Sequence, residues 1–350
     1  MGGRPLLTLT MIVRDESANL RRSLASVEGV VDEIVVADTG SSDDTVEIAR
    51  SLGARVIEIP WEDSFAVARN RALELASGQW AMFLDADEEF PTASGAELRD
   101  FLASTDASAV SVLLTNAGLS GQLADSFPTL RVWRNRPDFR FVGRVHEQLD
   151  FQGADLEPNF RALTNLVITH HGYAADEGSL REKGRRNEEL LKLALEEDPD
   201  DFVSLFYLAK TRDAEGLLEE ARELYRRAVR ADRDGTLPAA RRNLIACLGN
   251  LGEFSEAQTA ARHAIKAYPD YPDLWYYLGR IELELGRPAE AVRAFERAAA
   301  LAGGPVRYPS MPATATTLAW LGMADALQAL GRGPEAAQWR SRAAAAEQVG

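Results

Sequence analysis

The sequence has little cysteine: Cys247 is the only one among 350 residues, so no disulfide can form within the chain. That excludes the class of small secreted domains that several disulfides hold together. Long hydrophobic runs are also missing, because no apolar segment approaches the roughly 20 residues that cross a bilayer. The N-terminal Met-Gly-Gly-Arg-Pro lacks the apolar core of a signal peptide. We therefore expect a cytoplasmic protein without a transmembrane segment.

Basic side chains are scarce relative to acidic ones, 39 against 54, which gives a formal net charge of −15. Nucleic acids and anionic membrane surfaces are bound by basic surfaces, so this balance argues against both partners. One local basic patch is allowed by the sequence, because five arginines lie close together: Arg131, Arg134, Arg136, Arg140 and Arg144. The length and the 46% of hydrophobic residues are sufficient for two domains with separate cores.

Short apolar segments alternate with amphipathic ones in the first part of the chain. The predicted strands cover about residues 6–13, 34–37, 55–59, 81–84, 109–114, 130–134, 139–145 and 163–169. The predicted helices cover about residues 15–27, 43–53, 65–76 and 96–102. Because strand and helix alternate, the fold is expected to be α/β, with a mostly parallel sheet and right-handed crossovers.

Four carboxylates follow the predicted strand at residues 81–84, namely Asp85, Asp87, Glu88 and Glu89. In open α/β sheets, ligands bind beyond the carboxyl ends of the strands. Carboxylate oxygens suit Mg²⁺ or Mn²⁺, and such an ion keeps coordination positions for the phosphates of a substrate. The alternative is that the aspartates only cap a loop, since Asp-x-Asp is a short pattern with many chance matches.

Three further segments accompany the Asp85-x-Asp87 pattern. Residues 12–16 end the first strand, residues 38–43 follow the second, and residues 68–71 lie on the helix before the fourth. The order and spacing of the four segments resemble the inverting family 2 glycosyltransferases of GT-A fold, over about residues 6–175. The resemblance implies a hexosyltransferase-type enzyme that uses a nucleotide-sugar donor, by family habit a UDP-sugar, together with Mn²⁺ or Mg²⁺.

The resemblance also assigns roles by position. Asp38 matches the acidic residue that accepts a hydrogen bond from the nucleotide base, and Arg69 matches the basic residue that reaches the base or the diphosphate. Asp85 matches the residue near the ribose and the metal, and Asp87 matches the direct metal ligand. The set implied to bind the donor is Val13, Arg14, Glu16, Asp38, Arg69, Asp85 and Ala86. The alternatives are a turn-capping role for Asp38 and a solvated helix face for Arg69.

Inverting transfer needs a base opposite the leaving group. Glu147, in Arg144-Val-His146-Glu147-Gln148, resembles a residue found in family members with sugar or peptide acceptors, and it is the candidate base. Family members more often carry an acidic pair at this position, and a salt bridge with a nearby arginine is the alternative role for Glu147. His146 is expected to support Glu147 without touching the reacting atoms.

The last predicted strand ends in His170-His171-Gly172-Tyr173. Several GT-A enzymes return a histidine to the metal from the end of the domain. His171, followed by Gly-Tyr, resembles that position better than His170, so the resemblance implies His171 as a further metal ligand. The alternative is a packed histidine between domains.

The second half of the chain carries a helical repeat of roughly 34 residues. Small and apolar positions recur in register: Leu208, Ala221 and Ala228; Leu244, Ala257 and Ala264; Leu278, Ala291 and Ala298; Met323, Ala336 and Ala343. The segment 275–298 resembles the tetratricopeptide (TPR) consensus. We therefore predict a domain at residues 1–175, a linker near 176–185, and an all-α TPR solenoid at 176–350. Its repeats are expected near 201–234, 238–270, 272–303 and 317–345.

The fusion of these two modules resembles bacterial peptide S- and O-glycosyltransferases, which implies a peptide or protein acceptor held by the repeats. A lipopolysaccharide or other cell-envelope glycosyltransferase with a glycan acceptor is a close alternative. A non-catalytic, nucleotide-binding TPR scaffold is another, and the repeats are also expected to offer a surface for a homodimer. A nucleotidyltransferase is disfavoured, because acids follow Arg14 where a glycine-rich phosphate loop would stand.

Overall fold

The computed structural model describes residues 4–116, 127–153, 160–172, 177–304 and 307–347. It forms two compact units, which divide between Leu193 and Ala194. The division lies inside a long helix that starts at Glu177, whereas the sequence predicts a boundary at residue 175. The part of the predicted linker from residue 177 onward is therefore helical, and Asp176 lies outside the described residues.

The described part of the first unit contains ten strands. They are β1 (Leu7–Val13), β2 (Glu33–Asp38), β3 (Arg55–Glu58), β4 (Trp80–Phe83), β5 (Glu88–Glu89), β6 (Ala109–Asn116), β7 (Phe127–Arg134), β8 (Arg140–Val142), β9 (Gln148–Asp150) and β10 (Arg161–His170). Eight of them form one sheet in the order β3-β2-β1-β4-β7-β6-β10-β5, and β8 pairs with β9. The first four neighbours are parallel, as predicted, and β7 is antiparallel to both of its neighbours.

Among the described residues, five α-helices belong to the first unit or begin in it. They are α1 (Leu20–Ser26), α2 (Thr45–Ser51), α3 (Phe65–Glu74), α4 (Gly95–Ser104) and α5 (Glu177–Glu197). The predicted helix at 15–27 begins later than expected. Asp15 has a left-handed backbone, with φ of 54°, and its carboxylate accepts a hydrogen bond from the Ser42 N–H at 2.7 Å. The chain therefore turns before it becomes helical.

The sheet core brings the ends of β1, β2 and β4 to one edge. Strand β1 is buried along nearly its whole length, and its register pairs Val13 with Asp38 of β2 and Thr10 with Phe83 of β4. Because these three strands are parallel neighbours, the residues that follow them emerge at the same edge of the sheet. The two-residue strand β5 was not predicted; it pairs Glu88 with His170 of β10.

The second unit is helical. Beyond α5 the helices are α6 (Phe202–Ala214), α7 (Leu218–Ala231), α8 (Pro238–Asn250), α9 (Phe254–Ala267), α10 (Pro272–Glu284), α11 (Pro288–Ala300), α12 (Thr317–Ala329) and α13 (Gly333–Glu347). The small residues predicted at helix crossings are fully buried: Ala221, Ala257, Ala291 and Ala336. None of the described helices is both long and apolar enough to cross a membrane. The α/β unit followed by paired helices confirms the predicted fold class.

Candidate active site

The carboxylates after β4 lie in a tight loop that closes on itself. The Asp85 N–H donates to Glu88 Oε2 at 3.0 Å, and the Glu88 N–H donates back to the Asp85 carbonyl oxygen at 2.9 Å. Ala86, between the two aspartates, is buried. These hydrogen bonds fix the backbone of the loop, and with it the positions from which the Asp85 and Asp87 side chains project.

Glu88 is almost completely buried and forms an ion pair with Arg131 of β7, which is also buried. The Arg131 guanidinium lies 4.1 Å from the centre of the Phe83 ring. Burial and the nearby charge of Asp85 raise the pKa of the Glu88 carboxyl to about 7, against the opposing effect of Arg131. Glu88 thus acts inside the protein, where it holds the Asp85 loop to β7, and this role was not predicted.

Arg69 joins the Asp85 loop to Glu147. Its side chain is 8% exposed; it donates to Asp85 Oδ1 at 2.8 Å and forms an ion pair with Glu147, which is 12% exposed. The guanidinium also lies 4.4 Å from the centre of the Phe83 ring. Arg69 therefore does not lie on a solvated helix face. Glu147 forms a salt bridge with an arginine, which was the alternative to its role as a base. His146 next to it adopts a left-handed backbone, with φ of 53°.

The charge around Asp85 favours its ionised form. Burial by surrounding atoms opposes ionisation, but Arg69 and then Arg131 outweigh it and lower the pKa of Asp85 to about 2. The same two acids, Asp85 and Glu147, raise the pKa of Arg69 against the effect of burial. The cluster therefore holds a fixed negative charge next to a fixed positive one.

Asp87 is contacted by His170. The His170 Nε2 lies 3.2 Å from Asp87 Oδ2, and its Nδ1 lies 2.8 Å from Asn116 Oδ1. The hydrogen bond with Asp87 raises the pKa of His170, although burial acts in the opposite direction. Gly172 passes so close that a Cβ there would overlap the Asp87 carboxylate and lie 2.5 Å from His170 Nε2. Only a glycine fits beside this pair without displacing it.

His171, the histidine implied as a metal ligand, lies elsewhere. Its Nε2 is 2.9 Å from Glu89 Oε2, while its backbone N–H donates to the Asp87 carbonyl oxygen at 2.9 Å. Neighbouring residues of an extended chain point in opposite directions, so only one of two adjacent histidines can face Asp87. The structure places His170 there. Tyr173, the last residue of this segment, lies outside the described residues.

The ends of β1 and β2 border the same edge. The Val13 carbonyl accepts a hydrogen bond from the Thr39 N–H at 3.0 Å, and the Arg14 side chain is 56% exposed. Burial raises the pKa of Glu16, a hydrogen bond from Asn19 opposes this, and the charges of Asp87 and Asp85 raise it further. Glu16 is thus close enough for the charges of both aspartates to affect its ionisation.

Asp38 is buried, and its carboxylate binds its own turn. It accepts hydrogen bonds from the Gly40 N–H at 3.0 Å and the Ser41 N–H at 3.0 Å, and from the Ser41 hydroxyl. Gly40 has φ of 103°, a conformation that glycine adopts without strain. The turn-capping role is therefore realised, and a contact between Asp38 and a nucleotide base stays a prediction.

The five arginines between residues 131 and 144 do not form an open basic patch. Arg131 is buried with Glu88, and Arg134 stacks on Trp80 while donating to the Thr105 carbonyl at 2.7 Å. The others contact an acid or backbone carbonyls: Arg136 binds Asp138, Arg140 binds the carbonyls of Arg136 and Phe139, and Arg144 binds that of Asp63. Each of the five guanidiniums therefore has a partner within the protein.

The side chains around Asp87 suit a cation whose remaining coordination positions are filled by a substrate and water. Among the described residues, no three His, Cys, Asp or Glu side chains are arranged to hold an ion by themselves. Mg²⁺ is commonly bound by only one or two carboxylates, and substrate phosphates and water complete its shell. Asp87 is 22% exposed and lies beside the imidazole of His170. Carboxylate oxygen and imidazole nitrogen are both suitable ligands for Mn²⁺.

Comparison with known families finds a matching model in each half of the chain. Residues 8–138 match the family model "Glycosyl transferase family 2". Residues 188–236 and 248–306 match a "Tetratricopeptide repeat" model. The chain therefore carries a family 2 glycosyltransferase domain followed by TPR repeats, which confirms the resemblance read from the sequence.

Curated relatives share parts of both modules. A TPR repeat-containing protein of Synechococcus elongatus is 38% identical over 244 residues, which cover 68% of this chain and 60% of the relative. The SPbeta prophage-derived glycosyltransferase SunS of Bacillus subtilis is 29% identical over 211 residues, 59% of this chain and 49% of SunS. The chain thus spans about half to three fifths of these relatives. Among solved structures, MamA is 23% identical, with a TM-score of 0.41 over 50% of this chain and 96% of MamA.

Proposed function

We propose that this protein transfers a sugar from a nucleotide-sugar donor, with UDP as the preferred nucleotide, to a nucleophilic acceptor with inversion at the sugar. The observation that carries the proposal is one connected cluster at the end of β4. Arg69 bridges Asp85 and Glu147, and Asp87 lies against His170. The match to the family 2 glycosyltransferase model at residues 8–138 includes Arg69, Asp85 and Asp87.

Asp87 is proposed to bind a divalent cation, Mn²⁺ or Mg²⁺, with Asp85 nearby and His170 in the place first given to His171. A divalent cation at this position would neutralise the charge that develops on a departing diphosphate. The chain itself supplies the fixed geometry. Gly172 allows the backbone to pass close to Asp87 and His170, and Asn116 orients the imidazole through its other nitrogen.

Glu147 is proposed to be the base that removes the acceptor's proton. To do so, its carboxylate must exchange the Arg69 guanidinium for the acceptor's hydroxyl or thiol, while Arg69 keeps its bond to Asp85. A thiol is the better nucleophile and would depend less on this base. Once Glu147 has left it, one side of the Arg69 guanidinium can bind the donor's negative charge while the other holds Asp85, so Arg69 has both a positioning and a binding role.

The nucleotide is proposed to lie along the ends of β1 and β2. Asp38 and Val13 are register partners there, and Arg14, Glu16 and Ala86 border the same edge. Backbone groups of the Asp38 turn and the exposed Arg14 side chain offer hydrogen-bonding partners for a base and a ribose. The aspartate itself would act mainly by holding that turn in shape.

A peptide or protein is the preferred acceptor, because the glycosyltransferase domain is followed by helical repeats of a type that builds binding surfaces. A glycan acceptor, as in cell-envelope assembly, is the alternative. Measuring transfer to reduced and oxidised cysteine peptides, serine peptides and oligosaccharides would separate these acceptors.

The decisive experiment follows UDP release from a panel of UDP-sugars with Mn²⁺. We expect turnover with at least one sugar, its loss with EDTA, and a decrease of at least about 100-fold in Asp87→Ala, since removing a cation ligand removes charge stabilisation of the leaving group. Asp100→Ala is the matched control: Asp100 is an exposed residue of α4 in the same unit, and its loss should leave turnover unchanged.

Other outcomes would point away from catalysis. If the protein bound UDP-sugars but neither hydrolysed nor transferred them with any acceptor, a nucleotide-binding scaffold would explain the data better. Full turnover in Asp87→Ala would contradict the proposed cation site, whatever the acceptor.

A further inference from the structure

Two buried arginines hold the loop that follows β4, and they hold different parts of it. Arg69 of α3 donates to the Asp85 side chain at 2.8 Å. Arg131 of β7 acts on the backbone of the loop through Glu88, because one Glu88 oxygen pairs with Arg131 and the other accepts the Asp85 N–H at 3.0 Å. One arginine therefore fixes a carboxylate, and the other fixes the chain from which that carboxylate projects.

Both guanidiniums lie against the same aromatic ring. The centre of the Phe83 ring is 4.4 Å from the Arg69 guanidinium and 4.1 Å from that of Arg131. A cation next to an aromatic ring is attracted by the charge distribution of the ring, and the planar guanidinium stacks on it well. Phe83 is the last residue of β4, two positions before Asp85. It thus links both arginines to the strand that leads into the loop.

Stability alone does not account for the pair of Arg131 and Glu88. Their side chains are only 7% and 2% exposed, and the cost of burying two charges can exceed the gain from their attraction. Well-packed neutral residues in place of such a pair are often equally stable or more stable. The Arg131 Nε is also buried without a hydrogen-bond partner among the described residues, which adds to the cost. What the pair does supply is a fixed connection between β7 and the Asp85 loop.

The proposed reaction needs a support of this kind. During it, Arg69 exchanges Glu147 for the negative charge of the donor, so the arginine that holds the Asp85 carboxylate changes one of its partners. Arg131, in contrast, is buried with Glu88, and the proposed reaction gives it no partner to exchange. The backbone of the loop can therefore stay in place while Arg69 rearranges.

We propose that Arg131 is a positioning residue for donor binding, which acts through Glu88 to keep the loop of Asp85 and Asp87 in the conformation that binds the donor. This inference rests on the proposed function, because it assigns a role in the same donor site. Strand β5 provides a second support for the loop, since its backbone pairs Glu88 with His170 of β10. Loss of Arg131 should therefore weaken donor binding without abolishing it.

The test replaces both members of the pair, so that no buried charge is left without a partner. In Arg131→Met/Glu88→Gln, the glutamine amide oxygen can still accept the Asp85 N–H, but the ion pair to β7 is lost. We expect the urea unfolding midpoint to stay close to that of the wild type. The Kd for UDP with Mn²⁺, measured by isothermal titration calorimetry, should rise at least about tenfold, because a less preorganised loop binds more weakly. In kinetics, KM for the donor should change more than kcat.

Two single variants complete the design. Arg131→Lys keeps a cation that can pair with Glu88 but stacks less well on Phe83, so its Kd should lie between those of the wild type and the double variant. Arg134→Gln is the matched control, because Arg134 is another stacked arginine of β7. It lies 4.0 Å from the Trp80 ring and donates to the Thr105 carbonyl. Its loss should lower stability but leave the Kd for UDP unchanged.

The outcomes separate this inference from the proposed function. If the wild type binds UDP and the double variant binds it equally well, Arg131 has no positioning role and the proposed function stands. A double variant that unfolds far below the wild type, or an Arg134→Gln variant that loses as much affinity, would show an effect of general stability and would also overturn the inference. If the wild type with Mn²⁺ binds no UDP at about 1 mM, the proposed function fails first and this inference with it.

Discussion

Among single residues, Arg69 shows most clearly how this site is assembled. One guanidinium connects α3 to the loop after β4 and to the segment before β9, through Asp85 and Glu147. It also lies over the Phe83 ring, as Arg131 does. Removing one member of a buried ion pair costs about 3–5 kcal/mol, so losing Arg69 or one of its acidic partners should destabilise the protein. Because Arg69 contacts both, the position of the candidate base Glu147 depends on that of Asp85 in the candidate donor site.

Gly172 offers a sharp test of the Asp87–His170 pair. Gly172→Ala should lower turnover by at least about tenfold, because a Cβ would push the carboxylate and the imidazole apart. Global stability should change little, since Gly172 lies two residues beyond the end of β10. Gly184→Ala is the control: Gly184 lies in α5, where a Cβ meets nothing within 4 Å. Kinetics and thermal unfolding of both variants check this, and normal turnover in Gly172→Ala would argue against the pair.

Asp43 should govern part of the acid stability. Its carboxylate accepts hydrogen bonds from the Ser17 and Thr45 N–H groups at 3.1 and 3.0 Å. Hydrogen bonds with Ser17 and Thr45 lower its pKa below the ordinary 3.8. Because the folded-state pKa is the lower one, this contribution to stability is present above about pH 4 and is lost as the pH falls through the folded-state value.

Asp43→Asn should therefore be less stable than the wild type at neutral pH, and the difference should shrink as the pH falls below about 4. Urea unfolding at several pH values measures it. Asp44→Asn is the control, because Asp44 stands at the N-cap of α2 without a side-chain capping bond. A difference that stayed constant with pH would rule out this role for Asp43.

At the scale of elements, tight helix crossings hold the repeats together. Phe295 of α11 is fully buried and packs where Gly279 of α10 and Gly322 of α12 leave space for its ring. The short strand β5 has a comparable role in the first unit, because its pairing with β10 brings His170 to Asp87. In both units, a few residues with close backbone contacts set the position of a neighbouring element.

Two glycines in neighbouring helices should therefore respond to the same substitution with opposite signs. Gly279→Ala should lower the free energy of unfolding by about 1–3 kcal/mol, because the methyl group would overlap the Phe295 ring. Gly249→Ala should raise it by up to about 1 kcal/mol, because alanine favours the helix and meets open space. Urea denaturation measures both. Equal effects in the two variants would contradict the packing described around Phe295.

At the scale of the whole molecule, we expect the nucleotide-sugar donor to bind to the first compact unit and not to the repeats. UDP with Mn²⁺ should slow hydrogen exchange in the segments around Asp85–Asp87 and Glu147, and should leave the repeats from α6 onward unchanged. A ligand at 100 times its Kd stabilises the state that binds it by about 2.7 kcal/mol, which is enough to slow exchange measurably. EDTA or Asp87→Ala should remove the effect. Protection confined to the repeats would overturn the donor site proposed at β4.

The amino-acid sequence contains enough local information for most of the fold. The strands and helices around residues 6–84 follow from apolar periodicity, and the repeats follow from small residues that recur in register, such as Ala257 and Ala291. The same holds for the carboxylates after β4, because a strand's end can be read from its own residues. These features depend on near neighbours in the chain, so a pattern reveals them.

The partners of those carboxylates were decided only by the tertiary structure. Glu88 binds Arg131, and Asp87 meets His170 rather than His171; both contacts join residues more than 40 positions apart. Strand β5 has only two residues, too few to show the alternating pattern of a strand. The order of β7, β6 and β10 in the sheet depends on contacts between distant segments, so no single segment predicts it. Which of two adjacent histidines faces a carboxylate depends on the register of β10, and register is set by packing across the sheet.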